Sequence, residues 1–184
     1  MTERAADEST GRASAGSGPQ IVMQQERELA IAHWLLGAAP DVTQSRWEWA
    51  QDSETFLRCG GLFTAVRIPS VIVRAATGAQ DPSLVDRVLA EALDGGPVIA
   101  TYGRNLYYAL VPSSTGRHWQ EPSAECLVNR TLLGVPPVGR NTYDGGRPYW
   151  AVPMDGPAEL CMPEDVKRFV RHALLRWQDS EFPR

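Results

Sequence analysis

The sequence predicts an α+β domain: a mainly antiparallel sheet of five or six strands, with helices packed on one face and at both ends of the chain. Three stretches carry that expectation. Phe63 to Pro69 alternates as a buried strand, with Leu62, Thr64, Val66 and Ile68 on one face and Phe63, Ala65 and Arg67 on the other. Pro97 to Tyr102 and Leu106 to Val111 are β-rich runs joined by Gly103-Arg104-Asn105, a hairpin loop in which Gly and Asn are expected to take positive φ. Near the C-terminus, Val166, Phe169, Val170, Ala173, Leu174 and Trp177 recur at helical spacing behind Pro163, Glu164 and Asp165, a helix start.

The 184 residues, 43% of them hydrophobic, suit one domain with a real core. Residues 1–22 read as a disordered tail, because Ala, Ser, Gly and Thr without apolar periodicity cannot offset the entropy of ordering. Residues 23–184 read as a single α+β domain. Gln24 to Leu36 suits a helix, with Leu29, Ala32, His33 and Leu36 on its stripe and Gly37 as its stop. Trp47 and Trp49 alternate after a Pro-Asp turn, so they read as an edge strand or a short docking segment capping the core.

Ser70 is expected to cap a short helix from Val71 to Thr77 that ends at Gly78. Asp81-Pro82 starts another, whose stripe is Leu84, Val85, Val88, Leu89 and Leu93. Pro112 to Pro122 is a polar loop carrying His118 and Trp119. Short strands are expected at Glu125 to Val128, Thr131 to Val135 and Tyr149 to Val152, with Pro136 to Pro148 as an exposed loop.

Composition narrows function by exclusion. No apolar run reaches the ~20 residues that span a bilayer, and the first 20 residues lack the apolar centre of a secretory signal. A soluble, cytoplasmic protein without a membrane partner is expected. Net charge is −4 with a pI near 5.4, which disfavours coating nucleic acid by bulk charge. The charge is uneven, however: residues 1–57 carry nine acids and four Arg, residues 99–150 five Arg and three acids. If a phosphate-bearing ligand binds, the later segment is the place expected for it. Cys59, Cys126 and Cys161, like His33, His118 and His172, are too scattered for a zinc or redox motif. Phosphate-loop glycine motifs are lacking, and no cofactor, metal or catalytic residue is assigned. Ser70 lacks the flanking glycines of a nucleophile elbow. Cys59, beside Gly60-Gly61, is the other nucleophile considered, and a flexible approach to the strand is the simpler reading.

The stretches LFTAVRIP, GGPVIATYGRNLYYALVP, TLLGVPP and YWAVP, within about residues 58–153, resemble short proteins of GC-rich bacteria described as similar to the N-terminal domain of bifunctional DNA primase/polymerases. The resemblance implies a prim-pol-like fold and a nucleotidyl transferase in which two carboxylates near a strand end hold divalent metals. This chain has Arg67-Ile68-Pro69 where such an acid-x-acid pair is required, and a cation and a proline cannot coordinate Mg²⁺. The implied protein is a degenerate, non-catalytic relative with a binding or regulatory role. Its ligand residues are expected to be Arg67, Arg104, Arg117, Trp119 and Arg130, suited to nucleotide or single-stranded nucleic acid. The rival expectation is a protein-interaction adaptor working through Trp47, Trp49, Lys167 and Arg171.

Overall fold

The computed structural model describes residues 19–181. In chain order the elements are α1 (Pro19–Leu36), α2 (Val42–Ala50), β1 (Thr55–Arg58), β2 (Phe63–Pro69), α3 (Ser70–Thr77), α4 (Pro82–Ala92), β3 (Val98–Ala100), β4 (Leu106–Pro112), β5 (Glu125–Cys126), β6 (Leu132–Val135), β7 (Tyr149–Val152) and α5 (Pro163–Glu181). The class is α+β. Five strands form an antiparallel sheet in the order β5-β2-β4-β3-β7, and β1 pairs with β6 in a separate ribbon.

β2 and β4 pair over their full length, from Phe63 opposite Pro112 to Pro69 opposite Leu106. Their alternation sorts the core into two layers. Val66, Ile68, Tyr107, Ala109 and Val111 face α3, α4 and α5, whereas Phe63, Ala65 and Leu110 face α1 and the ribbon. Helices α3, α4 and α5 therefore occupy one face as expected, and the second face is covered as well. Period-2 patterning marks which residues share a face but not what lies over it, so a central strand covered on both sides reads like one covered on one side.

The ends of several elements differ from expectation for local reasons. Residues 1–18, most of the expected tail, lie outside the described residues, and Pro19 to Val22 belong to α1. Ile31, Leu35 and Leu36 are the buried positions of α1, while Leu29 is 70% exposed. The Trp47/Trp49 segment is helix α2, not strand, begun by Asp41, whose carboxylate accepts from Gln44 N at 3.0 Å. Ser70 is the first residue of α3 and makes no side-chain cap; its N–H instead donates to Asn105 O at 3.0 Å. Asp81 caps α4 as expected, accepting from Leu84 N at 3.0 Å, with Pro82 next.

In β7 the pairing slips by one residue, with Val98 opposite Val152 and Ile99 opposite Trp150. This bulge lets Trp150 enter the ribbon-side layer while Ala151 and Val152 both enter the helix-side layer, so all four β7 residues are buried.

Candidate functional site

The turn joining β3 to β4 sets the geometry of the strongest site. Thr101 and Leu106 close the hairpin, with Thr101 N donating to Leu106 O at 3.0 Å, and the chain then turns left-handed twice. Gly103 has φ of 59° and Arg104 φ of 57°. Asn105, expected to take positive φ, is right-handed at φ −73°. Only glycine adopts the left-handed conformation of residues 103 and 104 freely; Arg104, held in it, stores about 1–3 kcal/mol of strain that its surroundings must offset.

Those surroundings are specific. Arg104 Nε donates to Tyr107 Oη at 2.9 Å, and Nη1 donates to Gln80 O at 3.2 Å. The guanidinium carbon lies 5.9 Å from the Tyr107 ring centre and 5.8 Å from that of Tyr143. Tyr143 reaches this position because Gly103 N donates to Gly146 O at 3.0 Å, tying the 136–148 loop to the hairpin tip. The loop is held again at its other side: Arg140 and Arg147 both engage Asp52, at 2.5 and 2.7 Å, and Arg147 also binds Asp144. The sequence suggests an exposed loop; the structure ties it down at two points.

Around Arg104 a cleft of about 380 Å³ is lined by Ser70, Arg74, Gln80, Gly103, Tyr107 and Tyr143, together with Pro82. No carboxylate lines it. Behind the wall, Tyr149 Oη donates to Asp86, which burial pushes up to about 6 against the opposing effect of that hydrogen bond. Burial raises the Tyr107 phenol too, so Tyr107 remains a neutral donor and acceptor at physiological pH. The result is a half-open cleft with two cations, two phenol rings and a neutralisable acid behind them, suited to an anion bearing a flat ring.

No family model, curated protein or solved structure matches this chain.

The five expected ligand residues do not converge. Arg67 and Tyr108 are register partners on the ribbon-side face, whereas Arg104 and Tyr107 belong to the helix side. Arg67 is also engaged, with Nη2 2.5 Å from Glu125 Oε2 on the neighbouring strand. Trp119 packs against the helix-side core and donates to Ala124 O at 2.6 Å, under Lys167 Nζ at 5.9 Å. Arg117 and Arg130 lie beyond the opposite end of the β2–β4 pair. Since β2 has seven residues, that is about 20 Å from Arg104.

Sequence reasoning missed Arg74 and Tyr143. Arg74 is a solvent-side residue of α3, unremarkable by itself; Tyr143, an aromatic inside a Gly- and Asn-rich loop, is the signal that was there to be read.

The expected protein-contact residues also divide. Trp49 donates to Val135 O at 3.0 Å and caps the ribbon, while Trp47 is 60% exposed. Lys167, Arg168 and Arg171 pair with Glu164, Asp165 and Glu121 at 2.7, 2.7 and 2.5 Å, so the outer side of α5 is a neutralised surface rather than a basic one.

Among the described residues the geometry is unfavourable for thiol nucleophiles and for a metal centre. Cys59 is buried and its thiol is pushed up to about 11; Cys161 is pushed up to about 12. Among the described residues no group of three or more His, Cys, Asp or Glu gathers where a metal ion could be held. Asp52 and Glu54 form an Asp-x-Glu pair before β1, but Asp52 is held low by the ion pairs it makes with Arg140 and Arg147, whereas Glu54 is raised by burial. Among the described residues no helix is long and apolar enough to cross a membrane.

Proposed function

We propose that this protein is a non-catalytic binding or regulatory domain whose Arg74–Arg104–Tyr143 cleft takes a nucleotide or a short stretch of single-stranded nucleic acid. One observation carries the reading. An arginine sits in a strained backbone conformation between two tyrosine rings, with a second arginine lining the same cleft and no acid among the lining residues. Guanidinium groups bind phosphate, and an exposed Tyr143 edge offers a stacking surface to a base. The resemblance of residues 58–153 to primase/polymerase N-terminal domains favours the same ligand class. Arg67, paired with Glu125 where that family requires two carboxylates, favours a member that has lost transferase chemistry.

Calorimetric titration with a nucleoside triphosphate and with an oligothymidylate at low salt tests this. Saturable binding is expected, weakened about tenfold or more by Arg74→Ala or Arg104→Gly. Arg67→Ala is expected to leave it unchanged. Absence of saturable binding to either probe overturns the reading.

A second reading, a protein-interaction adaptor, rests on Trp47, whose indole is 60% exposed on α2 although Trp is normally well buried. Affinity capture with wild-type protein and Trp47→Ala distinguishes it; identical partner sets count against it.

A further inference from the structure

The end of the sheet away from the tyrosine cleft carries a second concentration of unneutralised charge. β1 delivers Arg58 there, and the chain crosses Cys59-Gly60-Gly61 before entering β2. The β5–β6 connection returns to the same place: Arg130 N donates to Cys59 O at 2.9 Å, and Cys59 N donates to Thr131 O at 2.8 Å. Arg58 and Arg130, both exposed, line one cleft of about 340 Å³ together with Cys59, Gly60, Gly61 and Asn129. A second cleft, of about 240 Å³, shares Gly60 and Asn129 with the first and is lined by Arg117. Three arginines thus surround one Gly60–Asn129 ridge, no Asp or Glu lines either cleft, and none of the three lies within ion-pair distance of a described carboxylate.

The ridge itself is built to tight tolerance. Gly60 has φ of 97°, and a Cβ there would stand 2.2 Å from Asn129 Oδ1 and 2.9 Å from Asn129 Cα. Asn129 can lie over the chain only because residue 60 has no side chain. Arg130, next along, has φ of 70°, so this arginine, like Arg104, is held left-handed. Beside the ridge, a Cβ on Gly61 would meet nothing within 4 Å, which leaves that stretch of backbone open to a ligand. In a protein of net charge −4, three unpaired guanidinium groups around an open glycine backbone form an anion seat.

We propose that this end of the sheet is a second anion-binding site, in which Arg58 and Arg130, with Arg117 across the ridge, hold a phosphate or phosphodiester group. It is separate from the tyrosine cleft and stands whether or not that cleft binds nucleotide. It has cations without an aromatic lining residue, so it recognises the charged group and not a base.

Backbone amide NMR on the full chain tests it, with inorganic phosphate and an oligothymidylate as probes. Saturable shifts are expected at Gly60, Gly61 and Asn129. In Arg58→Gln/Arg130→Gly the affinity is expected to fall about tenfold or more. The glycine keeps the left-handed backbone, and thermal melting of the variant reports whether its fold is retained. Arg104→Gly is expected to leave these shifts unchanged. Shifts with phosphate alone assign the seat to free phosphate; tighter shifts with the oligonucleotide assign it to a nucleic-acid backbone. No saturable shift with either probe in the wild-type protein overturns the proposal, as does equal affinity in the folded double variant.

Discussion

Tyr149 Oη donates to both oxygens of the Asp86 carboxylate, at 2.9 and 3.0 Å, joining the last strand of the sheet to α4 behind the tyrosine cleft. Burial dominates this pair and raises Asp86 to about 6 from an ordinary 3.8. A carboxyl with a raised folded-state pKa contributes stability that is fully present below its unfolded value and is lost as pH rises through the folded value. Asp86→Asn, which keeps an acceptor for Tyr149, is therefore expected to melt above wild type at pH 7.5. The gap is expected to close between pH 6 and pH 4; a gap independent of pH contradicts the assignment.

The same titration is expected to act on the proposed ligand binding. Above about pH 6 the Asp86 charge opposes an anion near Arg104, and below it that charge is gone. Affinity for an oligothymidylate, whose phosphodiester charge does not change in this range, is expected to rise as pH falls from 7.5 to 5.5. Asp86→Asn is expected to abolish the rise, measured by titration at fixed ionic strength.

Arg104→Gly separates binding from folding. It removes the Tyr107 and Gln80 hydrogen bonds, each worth about 1 kcal/mol, while relieving about 1–3 kcal/mol of left-handed strain. Stability is expected to stay within about 1 kcal/mol of wild type by urea melting while nucleotide affinity falls. A loss of more than about 3 kcal/mol would mean that the guanidinium holds the fold together instead of serving a ligand.

Gly96 is expected to be among the least replaceable positions. A Cβ there would come within 2.6 Å of Cys161 Sγ and 2.8 Å of Cys161 Cα, and the latter cannot give way cheaply. Gly96→Ala is expected to cost about 2–4 kcal/mol in denaturant unfolding. Gly61→Ala, facing open space, is expected to cost less than about 1 kcal/mol.

The three thiols are expected to differ in reactivity. Cys126 is half-buried, whereas Cys59 and Cys161 are buried with thiols at about 11 and about 12. Native protein treated with a chromogenic disulfide at pH 8 is expected to release at most one equivalent quickly, from Cys126, and three after unfolding. Fast native reaction at Cys59 would reopen the case for a nucleophile beside Gly60.

The β3–β4 hairpin was legible because two β-rich runs flank Gly103-Arg104-Asn105, and β2, which pairs with β4 over its full length, was legible from its alternation. Helix α2 was not, because Trp47 and Trp49 imitate a strand period and Ser45 is its one buried residue; Asp41 as its cap was the better cue. The site was legible only in part. Arg74 and Tyr143 come from elements 30 and more residues from Arg104: Tyr143 meets it through the Gly103–Gly146 hydrogen bond and Arg74 through α3, whose first residue Ser70 donates its N–H to Asn105 O, and no local pattern encodes either contact. Arg171 looked free because its partner Glu121 lies 50 positions earlier in the chain, whereas the Glu164–Lys167 pair is an i,i+3 contact within α5 that the sequence did offer.

The stretch from Pro136 to Pro148 has the composition of a segment free to gain or lose residues, yet it is fastened at Arg140 on one side and at Gly146 on the other. Only five positions lie between those anchors, and Tyr143 is the middle one. Its letters are therefore negotiable where its length is not: one residue more or fewer would swing the phenol away from Arg104, and with it the wall of the cleft.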